Sequence, residues 1–282
     1  KKINVEIPDA IITGTALGCI EDTESFLVSI IKNNEQFLSP TPFIQSTHNT
    51  IGAQIALILK CNNYNFTYVN RNNSFEDAVT DAIMLINDND AGNVLVGGVD
   101  ELTENSFKIM SRLGLYKNFD GSDISVIKSS GAFGGEGAAF FVLDGNSENA
   151  ICEIKAVRTY NNLDNENVSE KLIAEFLDQN NLKAGDIDVL LTGISGDSGY
   201  DMVYDHAMSL FYESAKCIYK NLCGEYFTSS SFAVNLASEI IKNQIIPNEI
   251  AIDNINKCKI GNVLIYNQFK NINHSLILLS GC

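Results

Sequence analysis

The chain has 282 residues, 45% of them apolar, enough for one sizeable core or two fused halves. Nineteen Lys and Arg stand against 35 Asp and Glu, a net charge of −16, and such a surface repels phosphate backbones and argues against nucleic-acid binding. The longest apolar runs, 51–59 and 275–280, are broken by Gly, Gln or Ser and fall far short of the roughly 20 residues of a membrane span.

A buried strand is predicted over residues 9–14 around Ala10-Ile11-Ile12, followed by a small-residue loop through Gly18. An acidic helix start at Glu21-Asp22-Thr23-Glu24 leads into Phe26, Leu27, Ile30 and Ile31 at helical spacing. Pro40 and Pro42 break that pattern, and residues 46–50 lead into a helix over 51–59. Gly52, Ala53 and Ala56 give this helix a small-residue face suited to close packing.

The chain is organised around residues 64–101: a strand (64–70), a turn (71–73), a helix (74–86) and a second strand (93–97). Ser74 is the expected N-cap, with Glu76 and Asp77 in the first turn where the helix dipole favours negative charge. A strand-turn-helix junction of this kind favours a nucleophile, because the helix N-terminus lowers a thiol pKa and its free N–H groups can hold an oxyanion. No cysteine lies between Cys61 and Cys152, so the junction lacks that atom.

Gly97-Gly98 ends the second strand, and a further strand over 138–143 follows the glycine-rich run 131–137. That run has no Lys-Ser/Thr and precedes a strand, which excludes a phosphate loop. Its Gly135 and Gly137 are read as a tight turn, with Glu136 as a structural acceptor. The later residues repeat the plan. A strand over 187–193 running into Ile194-Ser195-Gly196-Asp197 matches 11–18, and a helix over 231–244 matches 74–86. Strands 262–266 and 276–279 match 93–97 and 138–143. This is a divergent duplication with a mixed α/β fold, divided at 1–148 and 149–282. The acidic runs 87–90 and 164–167 are read as solvated loops.

His48, His206 and His274 are the three histidines, and none has a metal-site spacing. Each is read as a surface or helix-end residue, with His48 kept as a site candidate because it sits in a polar loop before a helix. Seven cysteines without C-x-x-C spacing read as reduced thiols of a cytoplasmic protein, with no disulfide framework or zinc. Cys223, beside Gly224 and two residues before Glu225, is a candidate reactive thiol against the reading of an inert half-buried one. Sequons at Asn65, Asn72, Asn167 and Asn273 are chance in an Asn-rich chain. No signal peptide is visible, and an opening Lys1-Lys2-Ile3 without Met leads us to expect a trimmed chain.

Taken in series, the segments resemble the β-ketoacyl-ACP synthases of the thiolase superfamily, in family order over nearly the whole chain. Gly14-Thr15-Ala16-Leu17-Gly18 matches GTGLG, Asn49…Gln54-Ile55-Ala56 precedes the nucleophile strand, and Leu95-Val96-Gly97-Gly98 with Asp100-Glu101 matches V-x-GG-x-E. The 131–137 run matches GF-x-x-GEG, Lys220…Gly224 matches K-x-x-x-GH, and Asn273-His274-Ser275-Leu276 matches N-A-S-L. The resemblance implies a thiolase-like fold of two βαβαβαββ-type halves, layered α-β-α-β-α, with the family's first strand and helix missing. It also implies tight dimers, no cofactor, and decarboxylative Claisen condensation on acyl chains carried by acyl carrier protein.

Family catalysis, as the resemblance implies it, uses a helix-N-terminal cysteine and two histidines, supported by a lysine. The cysteine slot falls at or near Asn72, an amide that is neither nucleophile nor base. The histidine slots fall near Ser195 and at Glu225, and Lys220 alone is retained; Gln268-Phe269-Lys270-Asn271 replaces the family's GFGG. Three readings follow. The first is a catalytically silent ketosynthase homologue of chain-length-factor type, as in aryl-polyene and dialkylresorcinol (flexirubin-type) pathways. It would pair through residues 51–61 and the next strand with an active ketosynthase, or with itself, and would reach acyl carrier protein through that partner. The second is an active acyltransferase with Ser74 or Cys223 as nucleophile and His48 or Glu225 as base. The third is a non-enzymatic scaffold dimer.

Overall fold

The structure is a computed structural model that describes residues 7–117, 129–146, 148, 150–161, 168–253, 257 and 259–282. The acidic run 164–167, with its sequon at Asn167, and the opening Lys1-Lys2-Ile3 lie outside the described residues. Two compact units are present. Unit 1 comprises Lys1–Ile109, Gly135–Gly145 and Tyr226–Ser231; unit 2 comprises Met110–Gly134, Asn146–Glu225 and Phe232–Cys282.

Unit 1 is built on β1 (Ala10–Gly14), β2 (Tyr64–Tyr68), β3 (Asn93–Asp100) and β4 (Gly137–Asp144), in the order β2-β1-β3-β4. The first three run parallel and β4 returns antiparallel. β1 lies between two neighbours and is buried at all five positions, which is why it reads as a continuous apolar run. Its register pairs Gly14 with Tyr68 on one side and Gly98 on the other.

The helix α3 (Thr50–Leu59) lies on the sheet face carrying Thr13, Asn65 and Thr67, where the Asn65 amide donates to the Gly52 carbonyl at 2.9 Å. The opposite face carries α4 (Ser74–Asn87), which buries Phe75, Ala78, Val79 and Ala82. A Cβ on Gly14 would sit 2.5 Å from the Ser74 carbonyl oxygen, so glycine there lets the first turn of α4 rest directly on the strand.

Two expectations change here. Pro40 and Pro42 do not end α1 (Ile20–Lys32), which stops at Lys32 before left-handed Asn34 and Glu35; Pro40 instead opens a second helix, α2 (Pro40–Gln45). A proline in the first turn loses no intrahelical bond and has its φ already set. The apolar spacing of α1 is real, but it buries no residue, and Leu27 and Ile31 are exposed. Phe26 packs instead on Phe43 of α2, ring centroids 5.2 Å apart. A short helix, α5 (Glu104–Arg112), follows β3.

Unit 2 contains β5 (Glu153–Asn161), α6 (Val168–Gln179), β6 (Val189–Thr192), α7 (Met202–Leu210), β7 (Ala215–Ile218), α8 (Lys220–Cys223), α9 (Ser230–Asn243) from Phe232 onward, β8 (Asn262–Phe269) and β9 (Asn273–Ser280). Its sheet order is β5-β9-β8-β6-β7. Read from the far edge, β7-β6-β8-β9 repeats β2-β1-β3-β4 with the same parallel and antiparallel pairings. β5 has no counterpart among the described strands of unit 1. α9 stands where α4 stands, between the edge strand and the strand after it. The repeat seen in the sequence is therefore a repeat of topology. The core gathers Phe176 of α6, Leu190 of β6, Tyr204 of α7, Tyr266 of β8 and Leu276 and Leu278 of β9.

His274, expected at the surface, is buried in β9. It stands opposite Tyr160 and Gln268 on the two flanking strands, and its Nδ1 lies 2.8 Å from Tyr266 Oη. The strand predicted over 276–279 begins three residues earlier, at Asn273, so His274 lies inside β9, between β5 and β8. Burial holds the His274 pKa below its usual value. A depressed histidine stabilises the fold above its unfolded pKa and loses that contribution as pH falls through the folded value. We expect chemical-denaturation stability to decline below pH about 6.5, and His274→Phe to flatten that part of the profile.

Candidate functional site

In unit 1, β2 passes through a 3-10 turn, Arg71–Asn73, into α4. The sharpest backbone point is Arg71, whose φ of +50° is left-handed, a conformation an L side chain adopts at a cost. Asn72 follows, buried. Its Nδ2 donates to Asn73 Oδ1 at 3.2 Å, and its Oδ1 has no hydrogen-bond partner among the described residues.

Ser74 does not cap the helix. Asn73 holds the cap position, and Ser74 is the first helical residue. Its Oγ donates to the Arg71 carbonyl at 2.6 Å and accepts from the Asn70 N–H at 2.8 Å, closing the turn on itself. Asp77 accepts from Asn70 Nδ2 at 2.8 Å, so the first-turn acid pins the turn. The Ser74 hydroxyl is buried, and both of these bonds are to backbone groups of the turn. His48 is exposed in the turn before α3 and is not a partner in either bond; its ring lies against Gly18.

The loop after β1 and the end of β3, matched separately in the sequence, meet at Asp100. Its Oδ1 accepts from Thr15 Oγ1 (3.1 Å), Ala16 N (2.8 Å) and Leu17 N (3.2 Å), and its Oδ2 from Thr228 N (3.1 Å) and Thr228 Oγ1 (2.9 Å). Burial raises the Asp100 pKa and these donors pull it back. The glycines around it permit close approach: a Cβ would lie 2.3 Å from the Phe140 ring at Gly97, 3.0 Å from Ser231 Cβ at Gly98 and 2.6 Å from Tyr226 Oη at Gly137. Glu136, just after Gly135, accepts from the Leu102 N–H at 2.8 Å.

In unit 2, β7 ends in the single turn of α8, and Gly224, at φ +74°, bends the chain back so that Glu225 faces Lys220. Lys220 Nζ lies 2.7 Å from Glu225 Oε2, with the lysine side chain 1% exposed and the glutamate 13%. Burial raises the Glu225 pKa and Lys220 opposes the rise. Asp197 and Asp201 add negative charge beside this pair. Ser195 offers its N–H to Asp201 Oδ1 at 3.2 Å and its Oγ at 3.4 Å. Cys223 points inward: its Sγ lies 3.3 Å from the Gly224 carbonyl, and burial pushes the thiol up to about 12. Such a thiol holds almost no thiolate near neutral pH.

The structure thus joins Lys220 directly to Glu225 and brings Ser195 to Asp201 in one unit. In the other it sets Ser74 against Gly14 of β1 and leaves Asn72 bonded to Asn73. Asp201, at the head of α7, and the anchoring role of Asp100 were missed in the sequence. An acid directly before a helical run was the available signal for the first.

Residues 18–113 match the family described as Beta-ketoacyl synthase, N-terminal domain. Superposition on solved structures covers 98% of the chain. The ishigamide ketosynthase/chain length factor gives a TM-score of 0.79 at 16% identity over 76% of that chain. The fold is that of the β-ketoacyl synthases. A β-ketoacyl synthase from Burkholderia phymatum STM815 gives 0.79 at 13% identity over 76% of its chain. The AntDE:AntF complex, a type II PKS acyl-carrier protein with its ketosynthase bound to the hexaketide, gives 0.81 at 15% over 78%. No curated protein matches the sequence significantly. On this ketosynthase fold, unit 1 places an amide in the strand-to-helix turn, and unit 2 places a carboxylate clamped by a lysine.

Proposed function

We propose that the chain is a catalytically silent ketosynthase homologue of chain-length-factor type, which pairs with an active β-ketoacyl synthase and meets acyl carrier protein through it. The observation that carries this reading is the turn at the head of α4. Its buried side chains are the Asn72 and Asn73 amides and the Ser74 hydroxyl, the last bound on both sides by backbone. An amide cannot take an acyl group from a thioester. Glu225, neutralised by Lys220, supplies no free base, and the raised thiol of Cys223 supplies no nucleophile.

Pairing is supported by the apolar surface of unit 1. Leu57 and Ile58 of α3 are 71% and 77% exposed, and β2 beside them is an outer strand with exposed aromatic rings. Among the described residues no helix is long and apolar enough to cross a membrane. We assign the subunit to cytoplasmic assembly of polyketide- or fatty-acid-type pigments of the aryl-polyene or dialkylresorcinol kind, on the resemblance of the whole chain.

The test is a condensation assay with malonyl and acyl groups loaded on carrier protein. The chain alone is expected to be inert and to take up no acyl mass. Added to a ketosynthase with which it co-purifies, it is expected to alter product chain length. Turnover by the chain alone would sink the reading.

A further inference from the structure

Cys152 stands directly before β5, and Cys282 follows β9 with only Gly281 between. The two strands run antiparallel, and their last shared pair at this end is Glu153 opposite Ser280. Continued outward, that register sets Cys152 opposite Gly281, with Cys282 one step further along. Gly281 has not left the sheet, because its N–H donates to the Gly261 carbonyl at 2.8 Å. Strand spacing and rise then put the two cysteine Cα atoms about 6 Å apart, inside the span that a disulfide bridges. Neither cysteine lies within a strand, so the alternation of side chains between faces does not hold the thiols apart.

Both are free thiols, and their surroundings differ. Cys282 is the exposed cysteine among the described residues, whereas Cys152 is partly covered and Cys61 and Cys217 are buried. Burial, with the charge of the Cys282 thiolate nearby, pushes the Cys152 thiol up to about 11. A soluble oxidant therefore meets Cys282 first, and Cys152 is placed to attack from behind it. Among the described residues β9 is the one strand neighbour of β5, so a bond at this end would tie the outer strand to the body of the sheet.

We propose that Cys152 and Cys282 form a redox-modification site, which a low-molecular-weight disulfide such as glutathione disulfide converts into a bond stapling β5 to β9. The Cys282 thiolate attacks one sulfur of glutathione disulfide, breaking its S–S bond and expelling one glutathione thiolate. The Cys152 thiolate then attacks the Cys282 sulfur of the mixed disulfide and expels the second. Together the cysteines lose two protons and two electrons, and glutathione disulfide is reduced to two thiols. The second step is slow near neutral pH, where Cys152 holds almost no thiolate, and quickens about tenfold per pH unit. The finished bond closes a loop of roughly 130 residues and so restricts the unfolded chain. This modification goes beyond the subunit reading and stands whether or not the chain condenses acyl groups.

The folded wild-type chain is incubated with glutathione disulfide over a series of mildly alkaline pH values, quenched with acid, and followed by intact mass and non-reducing peptide mapping. A glutathione adduct on Cys282 is expected to give way to a chain lighter by two hydrogen atoms, with one cross-linked peptide joining residues 152 and 282. That conversion is expected to accelerate with pH. Cys152→Ser is expected to stop at the adduct on Cys282. The cross-linked chain is expected to melt about 5 °C above the reduced one, and dithiothreitol to reverse the gain. An adduct on Cys282 that persists at every pH overturns the proposal, as does a link between 152 and 282 that forms only in urea. The wild-type mapping needs no variant, so it decides even if the substitution impairs folding.

Discussion

Lys220→Met is expected to lower the unfolding free energy by about 3–5 kcal/mol, the usual cost of stripping one partner from a buried ion pair. The lysine is 1% exposed and its carboxylate partner 13%, so neither can turn to water for compensation. The loss is uneven between the partners. Removing Lys220 leaves Glu225 beside Asp201 and Asp197, whereas Glu225→Gln leaves Lys220 with Asp201 still near. Lys220→Met should therefore be the worse of the two.

Its penalty should also depend on pH, with a definite sign. Glu225 already titrates above its usual range because it is buried. A carboxyl with a raised folded pKa penalises the fold while ionised, and the penalty lifts as pH falls through that value. Urea titrations from mildly alkaline to mildly acidic pH should show the gap between Lys220→Met and wild type closing as acid is added. The double variant Lys220→Met/Glu225→Met should recover most of the loss, because two apolar groups there need no partner. A double variant as unstable as the sum of the singles would mean that the pair is not the source.

Asp100→Ala is the second large effect, expected at about 4 kcal/mol from five donors that lose one shared acceptor. Three of them belong to Thr15, Ala16 and Leu17 and two to Thr228, all buried or partly buried, so water cannot replace the carboxylate at each. Asp100→Asn should lose roughly half as much, since its carbonyl can keep the Oδ1 set while its amide N–H₂ confronts the Thr228 N–H. Denaturant midpoints with unchanged slope would check both values. An Asp100→Ala chain within experimental error of wild type would show that the motif loop holds itself.

The legible part of this molecule is periodic. Residues 10–14 and 189–192 read as buried strands because a central parallel strand is covered on both faces and needs no alternation. The helix over 74–86 and its counterpart near 231–244 were readable from spacing alone, and both appear as 14-residue helices. The misreadings share one cause. His274 was placed at the surface, Ser74 at a cap and Pro40 in a break, and each depends on what lies across space. β9 lies between two strands, the Ser74 hydroxyl turns back to Arg71, and Pro40 has room to begin a new helix.

The sequence by itself determined that no cysteine lies between Cys61 and Cys152 and that His48, His206 and His274 are the three histidines, since no fold can restore an atom that is not encoded. It also determined the order of motifs and the doubling of the topology, which follow from hydrophobic period and glycine placement along one dimension. Only the tertiary structure decided that Glu225 is spent on Lys220 and that Asp100 gathers five donors from segments up to 128 residues away. Hydrogen bonds and charge pairs act over a few ångströms in space, and separation along the chain carries almost no information about that distance.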